Sequence, residues 1–182
     1  NNTGILDLGE QIFSGYNILI GSKHYNNFHS CTISEIIISG QNTYFGPFSP
    51  PQSFTTTGNT LLHLQMNEGS GFTLNDISGN GNSGSIYGAT WSDDVPFEEQ
   101  NENDENFSIH FDFMSGYSES LISTTNIFGG LQPFTVEAWY KNQGVNTGAN
   151  SGYDDGANIV SSYRRSGGGD PYGTFNLGIQ LL

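Results

Sequence analysis

Along most of the chain, apolar and polar residues alternate in short runs with a period of two. Leu62, Leu64 and Met66 share one parity within Thr60–Asn67. Phe107, Ile109, Phe111 and Phe113 share one in a later run, with Ser108, His110 and Asp112 on the other side. Phe134, Val136, Ala138 and Tyr140 line up in the same way, as do Phe175, Leu177, Ile179 and Leu181. Nearer the start, Tyr16, Ile18 and Ile20 align; in Thr32–Ser39, strict alternation sets Ile33, Glu35 and Ile37 opposite Ser34, Ile36 and Ile38. Shorter strands are expected at Ile5–Leu8, Ser85–Trp91, Ser118–Ser123 and Asn158–Tyr163. Side chains of a strand point to opposite faces in turn, so each run predicts a strand with one face on a core. No stretch carries a clean helical period. Many short strands separated by turns predict an all-β, antiparallel β-sandwich.

The rhythm breaks between Phe45 and Gly58. Pro47, Pro50 and Pro51 remove backbone donors and fix φ, so no central strand is expected there. Residues 46–58 therefore read as a Pro/Thr-rich linker between 1–45 and 59–182. A second break, Asn75–Gly84, is nearly pure turn chemistry.

Composition narrows the function. The chain has 182 residues and a formal charge of −14, with only four Lys plus Arg. Phosphate recognition needs a basic stripe, so no nucleic-acid partner is expected, and attraction to an anionic membrane is disfavoured too. No apolar run is long enough for a membrane-spanning helix, so no direct membrane insertion is expected. Cys31 stands alone, which excludes an intrachain disulfide and a cysteine zinc site. The chain begins at Asn1 without Met, and is expected to be an internal fragment of something longer. Asp93, Asp94, Glu98, Glu99, Glu102, Asp104 and Glu105 crowd one stretch, which reads as a solvated surface loop.

Two groups of residues carry a family resemblance. Leu61–Gly71 holds a strand followed by Glu-Gly-Ser-Gly, and Asp76–Gly84 reads Asp-Ile-Ser-Gly-Asn-Gly-Asn-Ser-Gly. Phe134–Tyr140 adds a strand ending in Ala-Trp-Tyr. Together these resemble the opening of the laminin-G-like domains, a family of concanavalin-A-like jelly rolls. Ile18–Gly21 and Ile33–Ser39 resemble the family's closing element, with Ile37 where a basic residue is usual. The closing element comes first. The resemblance thus implies the tail of one module (1–45) and the head of the next (59–182), or one circularly permuted domain.

The same resemblance implies an extracellular, secreted bacterial cell-surface protein built from repeated modules. Its expected role is non-catalytic: adhesion or binding, including gliding or surface attachment. Expected partners are a glycan or surface-protein ligand, neighbouring modules of the same chain and a secretion machinery. The alternative is an ancillary carbohydrate-binding or spacer domain of a secreted glycoside hydrolase.

Candidate chemistry lies in two loops. Asp76, Asn80 and Asn82 share a tight turn with Gly79, Gly81 and Gly84, so side-chain and backbone oxygens could converge on calcium as a structural ion. The competing reading is a turn whose side chains satisfy its own backbone. Tyr153, Asp154 and Asp155 sit in the Gly144–Asn158 loop as candidate ligand-binding residues, Tyr153 for stacking on a sugar. Trp91 and Trp139 are expected to pack, and Arg164 and Arg165 to form solvated ion pairs. His24, His29, His63 and His110 are scattered, with no metal spacing or triad pattern. A retaining glycosidase needs two carboxylates about 5–5.5 Å apart. Glu137 stands alone on its strand, so no catalysis is expected.

Overall fold

The structure is a computed structural model, and it describes residues 17–21, 29–95, 106–111, 121–125, 127, 133–145, 157–163 and 175–179. The expected strand at Ile5–Leu8 and the ends of several runs lie outside these. The described strands are β1 (Asn17–Ile20), β2 (His29–Ser39), β3 (Thr60–Leu64), β4 (Thr73–Leu74), β5 (Gly84–Tyr87), β6 (Thr90–Ser92), β7 (Ser108–Phe111), β8 (Leu121–Ser123), β9 (Thr135–Val145), β10 (Ala157–Tyr163) and β11 (Phe175–Ile179). No helix occurs among the described residues, and none there is long and apolar enough to cross a membrane.

The strands form two antiparallel sheets. One has the order β11-β10-β1-β8-β5-β4. The other is built around the long β2. Along one edge β2 pairs with β9 from Ser39↔Thr135 to His29↔Val145. Along the other it meets β3 through Ile36↔Leu64 to Ser39↔Thr60, and β7 through Cys31↔Phe111 to Ile33↔Ile109. The strand β6 then adds to β7. Strand pairing crosses residues 46–58: β1 and β2, from before that segment, each lie between strands that come after it.

The core is the space between the sheets. Ile18, Ile20, Leu74, Ile86, Ile122 and Val160 enter it from the first sheet. Ile33, Ile36, Ile38, Leu62, Leu64, Ile109 and Phe111 enter from the second, with Cys31 beside them. Phe134, Val136, Ala138 and Tyr140 of the β9 segment pack against its rim, as their common parity predicts. Each such aliphatic or aromatic side chain removed from water contributes about 1.5–3 kcal/mol. Burial pushes the Cys31 thiol up to about 12, which keeps it protonated and unreactive.

Three local expectations are corrected. Strict alternation put Ile33 opposite Ile36 and Ile38, but all three face the core, because the register shifts by a bulge between Ile33 and Glu35. The extra residue turns Glu35 and Ile37 to the outer face. The single strand expected at Ser85–Trp91 is broken at Gly88, where φ is +66°, and its halves β5 and β6 join different sheets. Ser108, expected outward, is buried: its hydroxyl donates to the carbonyls of Ser92 and Asp94. The short strand β4, paired through Thr73↔Ser85, was not anticipated.

Candidate functional site

The Asn75–Gly84 turn connects β4 to β5 and rests on the start of β3. Asp76 organises it. Its Oδ1 accepts from the backbone N–H of His63 and of Ser78, both at 3.0 Å, and its Oδ2 accepts from Asn82 N–H at 2.8 Å. Burial alone would push the Asp76 carboxyl up, but the bonds from Ser78, Asn82 and His63 outweigh it and hold it below the usual aspartate value. Asn80 donates its amide to Thr60 O at 2.8 Å, and Asn82 donates to Leu61 O at 2.9 Å. Asn82 Oδ1 accepts from Thr125 Oγ1 at 2.7 Å, which ties the turn to the residues after β8. Gly79 and Gly81 sit at φ of +88° and +74°, the left-handed conformation that lets the chain double back here.

The three residues expected to bind calcium are therefore brought together. In this arrangement both Asp76 oxygens and Asn82 Oδ1 are occupied by N–H or O–H donors. Calcium takes six to eight oxygens, so an ion at Asp76 would have to displace those donors. Among the described residues no three His, Cys, Asp or Glu group together to hold a metal. One oxygen does lie ready: Glu68 bonds Asn75 N–H through Oε1 at 2.7 Å, while its Oε2 is enclosed with no hydrogen-bond partner. Glu68 belongs to the Glu-Gly-Ser-Gly run that carries part of the family resemblance. Tyr153, Asp154 and Asp155 lie outside the described residues, as do Arg164 and Arg165.

The turn is flanked by exposed apolar side chains. Phe72 is 79% exposed, Tyr87 55% and Ile77 46%. Phe72 and Tyr87 sit at the base of the β4–β5 hairpin, where Ile86 N–H donates to Phe72 O at 2.9 Å. Trp91 borders this region; its indole N–H donates to Gly71 O at 2.9 Å, and its ring meets Phe107 edge-on with centroids 6.4 Å apart. Trp91 is thus anchored by packing, as expected.

A second polar cluster lies on the outer face of β2, β3 and β9. Cross-strand pairing puts Glu35 beside Trp139, and Ile37 between His63 and Glu137. Glu137, which seemed isolated along its own strand, is thus a diagonal neighbour of Glu35 on the next one. His63 Nε2 lies 2.8 Å from Glu35 Oε1, with both side chains buried, so His63 is not an isolated histidine. Residues 43–57 cover this face. Phe54 N–H donates to both Glu35 oxygens at 3.1 and 3.2 Å, and its ring lies parallel to Trp139 at 6.0 Å. Thr56 Oγ1 and His63 Nδ1 are 2.7 Å apart, and the Tyr44 hydroxyl donates to Glu137. Burial pushes the Glu137 carboxyl above its usual value; the Tyr44 bond opposes this and the charge of Glu35 adds to it. Sequence reasoning missed this cluster, because its members are far apart along the chain.

No protein family, curated protein or solved structure matches this chain.

Proposed function

We propose that this chain is a non-catalytic binding module of the concanavalin-A-like, laminin-G-like kind, belonging to a large repetitive adhesin on a bacterial surface. The observation that carries the reading is the β4–β5 hairpin. Of the four most exposed large apolar side chains among the described residues, three belong to it: Phe72, Ile77 and Tyr87. Ile77 lies in the turn, which is rich in amides and hydroxyls, and Phe72 and Tyr87 lie at the other end of the short hairpin. Aromatic faces beside hydrogen-bonding groups suit a sugar, whose C–H faces stack and whose hydroxyls pair. A glycan is the ligand this surface favours. Strand pairing that runs across residues 46–58 supports one permuted domain over two partial modules. Calcium as a structural ion at this turn would take Glu68 Oε2 and would have to displace the donors now on Asp76 and Asn82.

The test is a glycan array read with and without calcium, comparing the native chain with a Phe72→Ala/Tyr87→Ala variant. Both residues are exposed, so the thermal midpoint should hold while glycan binding drops at least tenfold. No binding to any glycan or surface protein would leave a spacer. Glycan release that disappears in Glu137→Gln would replace the binding reading with a hydrolytic one.

A further inference from the structure

We propose that residues 43–57 form an acid-released strap, latched onto the outer face of the five-stranded sheet by the ionised carboxylate of Glu35. The segment has no strand and no backbone ladder to the sheet. It is held at separate points. Thr43 N–H donates to Thr135 Oγ1 at 3.0 Å, Tyr44 to Glu137, and Thr56 pairs with His63. The central point is Phe54, whose N–H meets both oxygens of Glu35 and whose ring covers Trp139. Pro47, Pro50 and Pro51 supply no backbone donor of their own, so no ladder can run through the middle of the segment.

The latch depends on Glu35 being charged. A carboxylate accepts only, and the two groups facing it, Phe54 N–H and His63 Nε2, can both donate. Protonating Glu35 removes the charge that strengthens these bonds and turns one of its two oxygens into a hydroxyl, which ends the two-oxygen hold on Phe54 N–H. His63 does not set the latch. Neutral, it donates from Nε2 and accepts from Thr56; cationic, it donates from both nitrogens, and Thr56 Oγ1 accepts. The titratable groups facing Glu35 are His63 from β3, Glu137 from β9 and, through Glu137, Tyr44 of the strap. As acid protonates Glu137, the Tyr44 hydroxyl still has the one acceptor it needs, whereas Glu35 loses one of the two oxygens that Phe54 N–H shares and the charge that strengthens both of its bonds. The sheet beneath is joined by backbone bonds that do not titrate. Release is therefore local.

The experiment is amide hydrogen exchange on the native chain across an acid series, expressed as protection relative to the intrinsic rate at each pH. Phe54 protection should fall at least tenfold on acidification while the amides of the β2–β9 ladder keep theirs. In Glu35→Gln, Phe54 should be weakly protected at every pH, with no acid dependence left. Unchanged Phe54 protection in acid, or loss only together with the β2–β9 ladder, overturns the proposal. So does a folded Glu35→Gln chain with native, pH-dependent protection at Phe54. If that variant does not fold, the acid series on the native chain decides alone.

Discussion

On β2, Ile36 and Ile37 are neighbours in sequence and both are buried, but Ile36 lies between the two sheets and Ile37 lies beneath a segment without regular structure. The inner face is apolar throughout and is closed by strands that are themselves locked in ladders. The outer face mixes Ile37 and Trp139 with Glu35, His63 and Glu137, and it is closed by residues 43–57. Equal burial therefore hides unequal commitment. What covers Ile36 cannot leave without unfolding the sandwich; what covers Ile37 is held by a few side-chain contacts.

Truncating the two neighbours tests this difference most strongly. Ile36→Ala removes buried methyl groups from a core that can collapse little, and should cost about 2–5 kcal/mol. Ile37→Ala should cost less, close to the transfer value of about 2 kcal/mol, because the strap can settle into the space. Urea titrations of both variants give the comparison. Equal losses would mean that the two faces are equally rigid.

How far these two faces could be read from sequence follows the same division. The inner face was legible wherever the chain alternates without interruption: Leu62, Leu64 and Met66, or Ile109 and Phe111, are all buried as their parity predicts. It failed at β2, since a bulge adds a residue without any distinctive residue type to announce it, and Ile33 shares the core face with Ile36 and Ile38 as a result. The break at Gly88 had a usable signal, a glycine inside a strand pattern. The outer cluster had none. His63 sits between Leu62 and Leu64 as a polar residue should on a solvent face, and only the return of Phe54 and Thr56 buries it. For the candidate site, the turn at 76–84 was readable from its glycines and amides, but not the direction in which its oxygens point.

The turn gives the next effect in size. Asp76→Ala leaves three backbone N–H groups without their acceptor and should cost about 1–3 kcal/mol. Its pH dependence has a definite sign. A carboxyl held below its ordinary 3.8 contributes stability that is present above that value and is lost as pH falls through the folded-state value. The gap between native and variant should stay constant from neutrality down to about pH 5 and close only in stronger acid. Chemical denaturation at several pH values measures it. A gap that closes near neutrality would mean that another group sets it.

The smallest effect belongs to the outermost bond of the sheet. Asp94, just past β6, accepts from Lys141 of β9 and from Gln143 at 2.7 Å, joining the two sides of the sheet across β2 and β7. The Lys141 ammonium holds the Asp94 carboxyl below its usual range, and Gln143 adds to the effect. Unlike Glu35, this carboxylate is open to water, so solvent and salt already satisfy it when the partner leaves. Lys141→Met should therefore raise the Asp94 titration midpoint toward 3.8, as read by carbon-13 NMR of its carboxyl, while the thermal midpoint stays nearly where it was. High salt should produce much the same upward drift in the native chain. A large thermal loss in Lys141→Met would mean that this surface pair, and not the backbone ladders through β2 and β7, is what holds the edges of this sheet in place.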